Sequence, residues 1–170
     1  NNKASGKFAV SPVAGDELTV QYELPAGTDE KNNFTIKQVN HDFTGILKFH
    51  DRRPSGTLPG ECNIDINCSI ANNWSEVKNS VCRFISGNII CTGTLINNTA
   101  QDQTPYVVTA SHCFSKPEDS ETSVFTFNYE SPYCEVIDGD PSNSISGGVI
   151  RAYSDSLDFA LLELSLVPPP

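Results

Sequence analysis

Tyr106-Val107-Val108-Thr109-Ala110-Ser111-His112-Cys113 is a β-branched run that ends in two small residues, a histidine and a cysteine. Branched side chains favour an extended backbone in a packed sheet. The run therefore predicts a buried strand that presents His112 at a rigid end. Farther on, Leu157-Asp158-Phe159-Ala160-Leu161-Leu162-Glu163-Leu164 sets an acidic residue at the head of an apolar run. A fixed imidazole and a fixed carboxylate are two of the three parts of an acyl-transfer site, because the base needs a partner that holds its tautomer and stabilises its cation. The third part, a serine in a glycine-rich turn after Asp158, is not found in these 170 residues. The sequence begins without Met and contains none, so it is expected to be a processed or truncated part of a longer product.

Composition narrows the class. Eleven glycines and eleven prolines imply many turns, and nine Phe, five Tyr and one Trp are enough for a small core. An all-β fold is expected. Only eleven residues are Lys or Arg and the net charge is −10, which argues against nucleic acid, whose phosphates require clustered cations. No apolar run is long enough to span a membrane as a helix. The six cysteines, at positions 62, 68, 82, 91, 113 and 134, lack the paired C-x-x-C spacing of a zinc site. Disulfides in an extracytoplasmic protein, secreted or at the cell surface, account for them better.

Along the chain, Leu18, Val20, Tyr22 and Leu24 alternate with Thr19, Gln21 and Glu23, the period of a half-buried strand. After the turn Pro25-Ala26-Gly27-Thr28-Asp29, a second strand is expected from Phe34 to Lys37. Two strands are too few to stand alone, so they need a partner surface. Asp51-Arg52-Arg53-Pro54-Ser55-Gly56-Thr57-Leu58-Pro59-Gly60 reads as an exposed connector. Residues 1–50, a linker at 51–61 and a domain at 62–170 are the expected divisions. Beyond the linker six strands are predicted, near 81–86, 89–96, 105–111, 123–129, 146–153 and 159–164, with a short helix around Trp74 within 72–80. Short strands at this spacing suggest a small closed barrel.

Four ordered segments carry a resemblance: Cys62-Asn63-Ile64-Asp65-Ile66-Asn67-Cys68, Cys91-Thr92-Gly93-Thr94-Leu95-Ile96-Asn97-Asn98-Thr99, Val108-Thr109-Ala110-Ser111-His112-Cys113, and the run from Leu157 to Leu164. Together they resemble the N-terminal half of chymotrypsin-fold, trypsin-like serine endopeptidases, most nearly the bacterial lysyl endopeptidases. The resemblance covers roughly residues 62 to 166. It implies the first six-stranded barrel of a chymotrypsin-like double barrel, preceded by the β-rich remnant of a pro-domain. His112 would be the general base and Asp158 its orienting carboxylate. Cys91 with Cys113 and Cys68 with Cys134 would form two family bridges. Cys62 would pair in the second barrel, which is absent here, and Cys82 has no family counterpart, so a Cys62–Cys82 pair is also open. Residues 1 to about 50 would be a propeptide tail, released by cleavage after Lys48, Arg52 or Arg53, or an accessory module that is never removed.

The implied activity is hydrolysis of peptide bonds in proteins or peptides, with preference for Lys and then Arg. The fragment alone would be inactive, since the nucleophile, oxyanion hole and primary pocket belong to the second barrel of the same polypeptide. No metal and no organic cofactor are expected. Two other readings compete. One is a non-catalytic binding module on the same fold; the other is an adhesion module in residues 1–50 with the barrel as scaffold. An isolated His112 would suggest mere packing, and Asp158 a turn residue, but four ordered motifs argue otherwise. His41 and His50 have no patterned partner. Ser146-Gly147-Gly148 lacks a preceding Gly-Asp and comes before Asp158, so a turn is expected there. Asp138-Gly139-Asp140 has no bidentate Glu at calcium-loop spacing and reads as a turn.

Overall fold

The computed structural model describes residues 5–28, 34–42, 64–134 and 138–168. Seven strands form one sheet: β1 (Val81–Ser86), β2 (Ile89–Ile96), β3 (Tyr106–Thr109), β4 (Val124–Phe127), β5 (Ser144–Ser146), β6 (Gly148–Ser154) and β7 (Phe159–Leu164). All neighbours are antiparallel, in the order β5-β4-β1-β2-β3-β7-β6.

The strands at opposite ends of this order are consecutive in the chain and separated by Gly147 alone. Gly147 has φ +78°, a left-handed conformation that costs glycine little. Its N–H donates to the Ser123 carbonyl at 2.7 Å, and its own carbonyl accepts from the Ser165 N–H at 3.0 Å. The sheet thus curls until its two edges meet at one residue. The single strand expected over 146–153 is really two, which raises the count from six to seven without altering the barrel.

The interior follows from period-two alternation. In β1 Cys82, Phe84 and Ser86 point inward, and in β7 Ala160, Leu162 and Leu164 do so. Phe84 lies 4.9 Å from Phe125 and 5.5 Å from Phe114, ring centre to ring centre. Each such side chain contributes up to ~3 kcal/mol when fully buried. Two disulfides tie loops to this core, Cys91–Cys113 and Cys68–Cys134. Cys82 is a free thiol in the core, and the expectation of a pair with Cys62 falls on a residue outside the described ones.

Other expectations change. The helix around Trp74 is two short 3-10 turns, Ser69–Trp74 and Val77–Ser80. Residues 17–24 and 34–37 form no strand, and Leu18 and Val20 are more than half exposed, at 57% and 51%. An alternating pattern defines a face, but a strand also needs a ladder partner. Here Tyr22 of the first run meets Phe34 of the second, with ring centres 5.0 Å apart. This segment touches the barrel where the Ala9 N–H donates to Ser146 Oγ (2.9 Å) and Asn40 Nδ2 donates to the Gly87 carbonyl (3.1 Å). The linker at 51–61, with Lys48, His50, Arg52, Arg53 and Cys62, lies outside the described residues.

Candidate active site

β3 and β7 pair so that Tyr106 faces Glu163 and Thr109 faces Ala160. Continued two residues beyond the ladder, this register sets Ser111 opposite Asp158. The chain leaves β3 through extended Ala110 into a single 3-10 turn, Ser111–Cys113. The start of β7 is shaped by a turn in which the Asp158 N–H donates to the Asp155 carbonyl at 3.2 Å. Asp158 itself has φ +48°, a left-handed conformation that Asp tolerates better than branched or bulky residues. Both ends therefore bring short polar side chains to the same rim of the barrel.

His112 and Asp158 meet there. The imidazole Nδ1 is 2.7 Å from Asp158 Oδ2. The other carboxylate oxygen, Oδ1, accepts from the His112 backbone N–H at 3.0 Å and from Ser111 Oγ at 3.2 Å. These bonds hold the Asp158 carboxyl below its ordinary pKa, the backbone N–H of His112 first and its ring second. With Nδ1 facing the carboxylate, Nδ1–H donates to Oδ2 and Nε2 is left as the acceptor. The two side chains are 69% and 52% exposed, so the pair is open to an incoming group.

The support behind the histidine is covalent. Cys113, the next residue, is bonded to Cys91 of β2, with Cα atoms 6.1 Å apart. Thr109 Oγ1 adds a bond to the Thr92 carbonyl at 2.8 Å. Cys91, His112 and Cys113 put three potential metal-binding atoms within 4.8 Å of one another, but the two sulfurs are bonded to each other and offer no thiolate. Ser146, by contrast, faces Val124 of β4 and belongs to the closing turn. A Cβ at Gly139 would come within 2.5 Å of the Glu130 nitrogen, which explains glycine in the 138–140 turn by close packing. His41 is exposed.

Ser111 is the residue that sequence reasoning passed over. In the run Thr109-Ala110-Ser111-His112-Cys113 it reads as a small spacer, and only the β3–β7 register reveals that it faces a carboxylate.

The sequence model of the family described as lysyl endopeptidase, C-terminal domain, matches residues 58–170. A lysyl endopeptidase of Pseudomonas aeruginosa is 28% identical over 177 aligned residues, which cover 94% of this chain and 37% of the relative. The chain thus spans little more than a third of that relative's length. Among solved structures, an inactive form of the Rv3671c protease gives a TM-score of 0.38 at 18% identity, over 57% of this chain and 38% of that one. An inactive serine-to-alanine mutant of Rv3671c from M. tuberculosis H37Rv gives 0.37 at 20% identity, over 59% and 39%.

Proposed function

Because the chain belongs to the lysyl endopeptidase C-terminal domain family, and so to the proteases, we propose that it carries the base and orienting carboxylate of a serine endopeptidase. The observation that supports this reading is the 2.7 Å contact between His112 Nδ1 and Asp158 Oδ2 at an exposed rim. His112 Nε2 takes the proton of a serine hydroxyl as that oxygen attacks the peptide carbonyl. The tetrahedral intermediate collapses, and the same nitrogen returns the proton to the departing amine. Water then repeats the cycle on the acyl-enzyme. Asp158 stays ionised throughout; it holds Nδ1–H and stabilises the imidazolium. This acid–base and nucleophilic sequence draws on no metal or organic cofactor.

The serine, the oxyanion hole and the pocket for the substrate side chain come, in this reading, from a second barrel outside these 170 residues. That agrees with the share of the relative's length the chain covers. Lys is the proposed preference, from the name of the family and of the relative. Residues 1–50 are a propeptide segment and 51–61 the site of its removal. The two disulfides favour an oxidising, extracytoplasmic compartment.

The test uses the whole protease, cut in the linker, beside the 170-residue chain. The processed protease should hydrolyse lysyl esters and amides and be labelled by serine-directed phosphonylating reagents, while the chain alone does neither. A folded, processed protease that is inert to both would make this a binding module on a protease fold.

A further inference from the structure

We propose that Ser111 is a positioning residue whose buried hydroxyl locks the Asp158 carboxylate in the orientation that presents Oδ2 to His112. The inference rests on the reading of His112 as the base. Ser111 is only 2% exposed, although the two groups it serves stand at an open rim. A carboxylate that is half exposed can turn about its Cβ–Cγ bond and exchange its partners for water. Of its three donors, two belong to His112 itself. The ring bond turns with the imidazole, while the backbone N–H is held by the 3-10 turn and approaches Oδ1 from one direction only. Ser111 Oγ, at 3.2 Å from Oδ1, is the donor that comes from the buried side.

The hydroxyl is itself held. The carbonyl of Ser111 accepts from the Phe114 N–H at 3.0 Å, which fixes the backbone of the 3-10 turn. On the far side of β7 stands Tyr153, which faces Ala160, as does Thr109 of β3. The Asp155 carboxylate beside its phenol, burial and the charge of Asp158 push its pKa up. The phenol therefore stays neutral. Beside a neutral phenol, the Asp158 carboxylate is the ionised acceptor within reach of the Ser111 hydroxyl, and bonds to an ionised acceptor are roughly twice as strong. The proton goes to Asp158.

The test reads the His112 Nδ1 proton by NMR in the 170-residue chain, which requires no nucleophile. In the unsubstituted chain this proton should be held on the carboxylate and exchange slowly. Ser111→Ala should speed its exchange about tenfold, and Ser111→Thr, which keeps the hydroxyl, should restore most of the protection. In the whole protease the same alanine variant should lower kcat about tenfold with KM unchanged. If no protease activity exists, the proton exchange still decides the role of Ser111. Unchanged exchange in folded Ser111→Ala would overturn the proposal. Should that variant not fold, the Ser111 hydroxyl proton of the unsubstituted chain serves: slow exchange with a contact to the His112 amide proton supports the role, and rapid exchange overturns it.

Discussion

Cys113, the residue after His112, is bonded through its sulfur to Cys91 in the middle of the sheet. The candidate base is therefore one residue away from a covalent tie to β2, while the carboxylate it meets is carried at the head of β7. Any slack in that tie is slack in the 2.7 Å contact between them.

Removing the tie should show in both stability and rate. The two cysteines are 22 residues apart, a loop whose closure contributes about 3 kcal/mol. Replacing both by Ala should lower the unfolding free energy in urea by that amount. In the whole protease it should also lower kcat, since misplacing a catalytic group by about 1 Å can cost ~10²-fold.

Gly93 of β2 tests the packing of the barrel. A Cβ there would stand 2.6 Å from Val107 Cγ1 and 3.2 Å from Cys82 Sγ, both inside the core. Gly93→Ala should destabilise the fold by about 1–3 kcal/mol, as overpacked cores do. Urea unfolding measures it, and Gly87→Ala, whose Cβ meets nothing within 4 Å but sits at φ +61°, separates backbone strain from crowding.

Cys82 gives the barrel a pH dependence on the alkaline side. Burial pushes its thiol from the ordinary 9.0 up to about 12. Between those values the unfolded chain has lost the proton that the folded chain keeps. Fewer protons on the unfolded state mean that stability falls as pH rises through this window. The unfolding free energy should decline from about pH 9 upward, and less steeply in Cys82→Ala. Native Cys82 should resist iodoacetamide until the barrel unfolds.

Much of this architecture was legible because short branched and aromatic runs announce themselves. The bounds expected for β1, β2 and β7 coincide with those observed. Three features were not legible, each for the same physical reason. The break at Gly147 depends on which strands its two amide groups reach, and Ser111 gains its role only from the register of β3 on β7. Among the described residues the alternating run at 17–24 has no ladder partner, which no local pattern supplies. Pairing is a long-range property, and a local sequence pattern records only half of each pair.

If His112, oriented by Asp158, is the general base of a serine endopeptidase, its removal must show in the rate. The most direct measurement is kcat/KM for a lysyl substrate with the processed whole protease and its His112→Ala variant, each shown to be folded with the Cys91–Cys113 bridge intact. The variant should lose about 10⁴–10⁶-fold, together with rapid phosphonylation. Hydrolysis and labelling that survive the substitution within tenfold would contradict that role.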